Sequence, residues 1–121
     1  MARIMVVDDS PADLKHLSGI LKNGGYDVIE VGSGQDSITK AKTEKPDAIV
    51  MDVVMPGVSG FQATRSIVKD PDTANIPILV VSAKNQETDR VWALRQGAKE
   101  YIVKPVKDAD LLAKIKQVLG G

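Results

Sequence analysis

The chain has 121 residues, of which 43% are hydrophobic, a size and composition that fit one domain with one buried core. Its 16 basic and 16 acidic residues balance, so no excess charge points to nucleic acid or a membrane surface as a partner. The absence of cysteine excludes disulfides, thiolate metal sites and cysteine nucleophiles. Because the apolar runs are too short to cross a bilayer and the start lacks a secretion signal, we expect a cytoplasmic protein without membrane insertion.

Five short apolar runs recur along the chain and predict five β-strands. All are rich in β-branched residues, and three are apolar throughout, which is typical of strands buried on both faces. In chain order, the predicted strands are residues 4–7, 28–31, 48–51, 78–81 and 101–103.

The stretches between these runs predict helices. Leu14, Leu17 and Leu21 recur at helical spacing in the first stretch, and Leu111 and Ile115 do so in the last. Each set predicts one apolar helix face that packs on the sheet.

Local chemistry marks several helix boundaries. Ser10 before Pro11 is a typical capped helix start, because the serine side chain can accept from a free backbone N–H. The glycine pair that ends at Gly25 and the single Gly97 are typical helix stops, and Pro46 closes the second helix.

The regular alternation of strand and helix predicts an α/β fold with a parallel sheet between two helix layers. Five β-then-α units favour a doubly wound, flavodoxin-like (βα)5 sandwich with strand order 2-1-3-4-5, since a closed barrel needs eight. We expect residues 1–121 to form a single domain without an output domain.

Polar residues follow four of the predicted strands. Asp8 and Asp9 follow the first strand, Asp52 the third, Ser82 the fourth and Lys104 the fifth. Ligands of open parallel sheets bind at the carboxyl ends of the strands, so we expect these side chains to share one edge. Alone, each acid and Ser82 would be explained as a turn or cap residue and Lys104 as a solvated lysine, whereas their joint placement favours a site.

The residue types at this edge indicate phosphoryl chemistry with a metal ion. Close carboxylates repel one another, and a hard divalent cation relieves that repulsion. Oxygen ligands without histidine or cysteine favour Mg²⁺, or Mn²⁺ in its place, and Mg²⁺ commonly bridges carboxylate to phosphate. Lys104 can neutralise phosphoryl oxygens and Ser82 can donate a hydrogen bond to them. Asp52, on the middle strand, is the natural phosphoryl acceptor.

The motifs at the strand ends are Asp8-Asp9, Asp52 with Met55-Pro56-Gly57 and Gly60, Ser82-Ala83, and Lys104-Pro105. Taken together, they resemble the response-regulator receiver domain of the chemotaxis-regulator type. The resemblance covers essentially the whole chain and implies a stand-alone regulator of a two-component phosphorelay. Residues 86–98 are also similar to stand-alone regulators of type IV pilus, or twitching, chemosensory systems.

The resemblance assigns the acids their roles. It implies that Asp52 is phosphorylated by the phosphohistidine of a sensor histidine kinase or a phosphotransfer domain. It implies Mg²⁺ ligation by Asp9, Asp52 and the Val54 carbonyl, with Asp8 acting partly through water. The protein would then be no enzyme beyond its own phosphorylation and dephosphorylation.

The resemblance also implies how the signal is read. Lys104 and Ser82 would hold the phosphoryl oxygens, and the bond from Lys104 to Pro105 would be a cis peptide. Tyr101 would turn inward when Ser82 moves toward the phosphoryl group. A downstream effector protein would read the face formed by the fourth helix, the fifth strand and the fifth helix.

Two positions depart from the family pattern. Val54 replaces a polar residue often found two positions after the acceptor, and Lys84 is basic where an acid is common. Both flank the water that hydrolyses the phosphorylated state in this family. Our hypothesis is that the apolar Val54 slows self-hydrolysis.

Other functions fit the sequence less well. A phosphohydrolase with an aspartyl nucleophile would commonly need a second acid beside Asp52, and the two following valines offer none. A flavin- or nucleotide-binding module would need a phosphate loop where Asp8 and Asp9 stand. The complete acidic set argues against an inactive adaptor, and the neutral charge argues against DNA binding.

Overall fold

The computed structural model of the protein describes residues 1–120 and shows strands and helices in strict alternation. No helix within this range combines the length and apolar character that a membrane crossing requires. The strands are β1 (Arg3–Val7), β2 (Asp27–Val31), β3 (Ala48–Asp52), β4 (Ile78–Ser82) and β5 (Glu100–Val103). The helices are α1 (Pro11–Asn23), α2 (Gly34–Glu44), α3 (Gly60–Lys69), α4 (Glu87–Arg95) and α5 (Asp108–Val118).

The five strands form one parallel sheet in the order β2-β1-β3-β4-β5, so the predicted doubly wound fold is confirmed. The predicted strands agree with the observed ones to within one residue at each end. Val7 at the end of β1 pairs with Met51, and Asp52 at the end of β3 pairs with Val81. This register brings the carboxyl ends of β1, β3 and β4 to a common edge.

The core lies in two layers, one on each face of the sheet. Because side chains alternate along a strand, Met5 and Val7 pack under α2, α3 and α4, while Ile4 and Val6 pack under α1 and α5. The central strands β3 and β4 are buried along their whole length. This double burial explains why their sequences are so continuously apolar.

The helix ends follow the predicted chemistry with one addition. The Ser10 side chain accepts from the Asp13 backbone N–H at 3.3 Å, and Gly25 and Gly97 take the left-handed backbone with φ of 92° and 111°. Helix α2 ends on Lys45, which has φ 45° without being a glycine. The proline that follows it prevents continuation of the helix.

Gly60, the first residue of α3, allows this helix to start directly against the backbone of the predicted acceptor. Its N–H donates to the Val53 carbonyl at 2.9 Å. A Cβ added at this position would lie 1.9 Å from the Asp52 carbonyl oxygen, a rigid backbone atom. Only glycine fits there without shifting β3.

We predict that Gly60→Ala lowers the free energy of unfolding by about 2–3 kcal/mol, the upper range for overpacking a filled interior. Gly19→Ala is the matched control, because a Cβ at Gly19 in α1 meets nothing within 4 Å. The control is expected to stabilise the protein by roughly 0.5–1 kcal/mol, since alanine favours a helix interior. Urea denaturation measures both, and equal effects of the two variants would contradict this packing account.

Candidate functional site

The structure brings three of the predicted site residues together at the carboxyl edge of the sheet. Carboxylate oxygens of Asp8, Asp9 and Asp52 lie within 4.8 Å of one another. Asp8 and Asp52 are buried, with 1% and 6% of their surface exposed, whereas Asp9 is exposed to solvent. The site is therefore a cup with two buried acids and one acid at its rim.

Backbone hydrogen bonds fix the first of these acids. The Asp8 N–H donates to the Val31 carbonyl at 3.1 Å, which extends the pairing of β1 with β2 by one residue. The Asp8 Oδ1 accepts from the Ser10 N–H at 2.9 Å, a typical aspartate turn. The carboxylate therefore stays at the strand end while the chain turns into α1.

Lys104 supplies the positive charge of the site. Its backbone N–H donates to the Ser82 carbonyl at 2.8 Å, which ties the segment after β5 to the end of β4. The ammonium donates to Asp8 Oδ2 at 3.0 Å, Asp52 Oδ1 at 3.2 Å and Asp13 Oδ2 at 2.9 Å. The peptide bond from Lys104 to Pro105 is cis.

Asp13 was not anticipated as a site residue from the sequence. From the sequence alone it is an acid in the first turn of α1, a common position for such residues. Its carboxylate reaches Lys104 across 91 positions of sequence separation. The available signal was its placement five residues after Asp8, within a helix start that lies at the same sheet edge.

Burial and charge set the protonation of the acceptor. Burial first, and the neighbouring Asp8 carboxylate second, raise the pKa of Asp52 to about 6, although the Lys104 ammonium opposes this rise. Burial alone would lower the pKa of Lys104, but its hydrogen bonds to Asp13 and Asp8 outweigh burial and raise it. The site thus holds a permanent cation beside carboxylates that are costly to ionise together.

Ser82 and Tyr101 meet at the backbone of Lys84 instead of at the acidic cup. The Ser82 hydroxyl is fully buried and accepts from the Lys84 N–H at 3.1 Å. The half-buried Tyr101 donates from its hydroxyl to the Lys84 carbonyl at 2.7 Å. The two residues proposed as a switch therefore hold the two peptide groups on either side of the Lys84 Cα.

An open cavity of about 250 Å³ lies above the acids. Val54 stands at this cavity with 62% of its surface exposed. The donors around the cavity are carboxylate oxygens, a set that fits Mg²⁺ or Mn²⁺ and does not suit softer metals. The lining residues are Asp8, Asp9, Ser10, Asp13, Asp52, Val54, Ala83 and Lys104.

The fold and this acidic edge define a signalling domain, and comparison with known proteins agrees. The response regulator receiver domain family matches residues 4–116, so the chain belongs to that family. It is 49% identical over 121 residues to the protein PilH of Pseudomonas aeruginosa, and the match covers all of both chains. The similarity to PilH confirms the resemblance of residues 86–98 to stand-alone receivers of pilus chemosensory systems.

Solved structures show the same architecture. The receiver domain of the sensor histidine kinase PA1611 from Pseudomonas aeruginosa, with a magnesium ion coordinated in its active site cleft, has a TM-score of 0.92 and 30% identity, covering 99% of this chain and 98% of that one. The CheY of the CheX–CheY–BeF3–Mg²⁺ complex from Borrelia burgdorferi has a TM-score of 0.91 and 28% identity, covering 97% and 88%. Several other relatives are longer, and the chain spans 26% to 51% of their length.

We predict that Asp52→Asn stabilises the metal-free protein at pH 7 by about 1–3 kcal/mol, because the variant no longer buries a charge beside Asp8. The folded pKa of Asp52, about 6, lies above its unfolded value of 3.8, so the native carboxylate destabilises the fold as pH rises through this window. Below the unfolded pKa of 3.8 the carboxyl becomes protonated in both states, so the difference should fall toward zero.

Urea denaturation in a chelating buffer, at neutral pH and at about pH 3.5, measures this difference. An Asp52→Asn protein no more stable than wild type at pH 7, or a gain of equal size at both pH values, would contradict the account.

Proposed function

We propose that this receiver domain accepts a phosphoryl group on Asp52 from the phosphohistidine of a sensor histidine kinase or phosphotransfer domain. The observation that carries the proposal is the ammonium of Lys104 lying 3.2 Å from Oδ1 of a buried carboxylate. A nucleophile next to a fixed cation suits phosphoryl transfer, which requires mainly alignment and charge neutralisation.

In the proposed reaction, a carboxylate oxygen of Asp52 attacks the phosphorus of the phosphohistidine. The new phosphorus–oxygen bond forms as the bond from phosphorus to the imidazole nitrogen breaks. The imidazole leaves with the electron pair and takes up a proton from solvent. Lys104 is placed to donate to the phosphoryl oxygens and to offset their charge.

The acidic cup would hold a divalent cation through Asp8, Asp9 and Asp52, with the backbone carbonyl of Val54 as a further ligand. When bound, Mg²⁺ supplies the positive charge that lets a phosphoryl group approach three carboxylates, and Mn²⁺ suits the same oxygen donors. The magnesium ion described for the PA1611 receiver and the BeF3–Mg²⁺ complex of the Borrelia CheY support this assignment.

The switch would operate through the backbone of Lys84. A phosphoryl group on Asp52 offers acceptor oxygens, toward which the Ser82 hydroxyl turns. The Lys84 N–H then loses its acceptor at Ser82, and the loop that also holds the Tyr101 hydroxyl is free to move. Tyr101 turns inward, and the population of the active surface rises.

The active surface would be the face formed by α4, β5 and α5. Apolar side chains are already exposed there, with 50% of Trp92 and 41% of Val103 accessible. An effector protein would bind this face, and the domain would signal by protein contact in the cytoplasm. The similarity to PilH supports a role in the control of type IV pilus motility.

Acetyl phosphate with Mg²⁺ should add the mass of one phosphoryl group to the wild-type protein, because Asp52 is the single acceptor. Intact mass spectrometry at neutral pH measures the gain. Asp52→Asn should show none, since its amide is a poor nucleophile. Phosphorylation of that variant, or a wild-type protein that gains no mass, would contradict the proposed acceptor.

Asp36→Asn is the matched control for this experiment. Asp36 lies in the first turn of α2, three residues after a capping serine, which is the position that Asp13 has in α1. Unlike Asp13, it has no contact with Lys104. This variant should gain the same mass as the wild type.

Val54→Asn should shorten the lifetime of the phosphorylated protein by roughly tenfold, because an amide can orient water that the exposed valine cannot. This estimate stays below the ~10²–10⁴-fold rate increase that full general acid–base catalysis provides. Loss of the added mass over time measures the decay. Val91→Asn, an exposed valine on α4, is the control, and equal decay of Val54→Asn and wild type would reject the hypothesis.

A further inference from the structure

The ammonium of Lys104 is fully used by three carboxylates. It carries three hydrogens, and Asp8, Asp13 and Asp52 each accept one, at 3.0, 2.9 and 3.2 Å. The contact with Asp13 is the shortest of the three. A phosphoryl oxygen can therefore engage Lys104 only by replacing one of these acceptors.

Asp13 differs from the other two acceptors in position and exposure. It belongs to the first turn of α1, and 49% of its side chain is exposed, against 1% for Asp8 and 7% for Asp52. Asp13 also lines a neighbouring cavity of about 360 Å³, which Leu17 and Pro105 help to form. It therefore holds Lys104 from the outer side of the acidic cup.

Phosphorylation changes the three contacts unequally. The Asp52 carboxylate becomes an acyl phosphate, whose oxygens are better acceptors for the same ammonium. Asp8 stays buried beside the phosphoryl group. Asp13 keeps its full charge and its place on α1, so it continues to attract Lys104 away from the phosphoryl oxygens.

We propose, resting on the proposed function, that Asp13 is a positioning residue that holds Lys104 in the unphosphorylated protein and competes with the phosphoryl group for it. The competition lowers the affinity of the site for a phosphoryl group. Removing the Asp13 charge leaves Lys104 free to donate to the phosphoryl oxygens.

Beryllofluoride, a phosphoryl mimic, tests this proposal in the presence of saturating Mg²⁺. Asp13→Asn should bind it about fivefold more tightly than the wild type, as expected when one half-exposed ion pair no longer competes. Asp36→Asn, the same charge change at the equivalent position of α2, should bind it like the wild type. Isothermal calorimetry gives the three dissociation constants.

The Lys104→Gln background separates competition for Lys104 from a general effect of charge. If Asp13 acts through Lys104, Asp13→Asn should leave affinity for the mimic unchanged in that background. If that affinity is too weak to measure, the rate of phosphorylation by acetyl phosphate replaces it as the readout. An equal gain in both backgrounds, no gain in either, or weaker binding by Asp13→Asn would overturn the proposal.

The proposed function can fail separately from this inference. A wild-type protein that acetyl phosphate and Mg²⁺ leave unmodified would contradict phosphorylation at Asp52 itself. A wild-type protein phosphorylated on Asp52, with Asp13→Asn binding the mimic no more tightly, would overturn only the role of Asp13.

Discussion

The structure depends on two carboxylates, those of Asp8 and Asp52, that the fold buries side by side with one lysine as their shared partner. Burial and mutual repulsion work against ionisation of both acids, and the pKa of about 6 for Asp52 records that conflict. The Lys104 ammonium relieves it only in part. A site with unrelieved negative charge is suited to take up a divalent cation and, with it, a phosphoryl group.

The rest of the molecule serves to hold this arrangement in place. The register of β1 with β3 and of β3 with β4 sets the acids at one edge, and the close approach of Gly60 to the Asp52 backbone fixes the start of α3. The link from the Lys104 N–H to the Ser82 carbonyl joins the segment that carries the cation to the end of β4, which leads into the loop with Lys84. Hydrogen bonds thus connect Asp52 through Lys104 and Ser82 to the backbone of Lys84.

Much of this could be predicted from the sequence because its signals are local or periodic. Buried strands are short apolar runs, and the alternation with helices determines a parallel sheet whose carboxyl ends coincide. What sequence could not supply is the direction in which individual polar side chains point. The contact of Asp13 with Lys104 depends on how α1 packs against a segment 91 residues away, and the present partner of the Ser82 hydroxyl depends on its rotamer.

The most direct test of the acidic cup is a crystal structure of the protein soaked in Mn²⁺, with anomalous scattering used to locate the ion. The account predicts one strong anomalous peak in the cup formed by the carboxylates of Asp8, Asp9 and Asp52. A map without a peak in the cup, or with Asp52 turned away from Asp9, would contradict it.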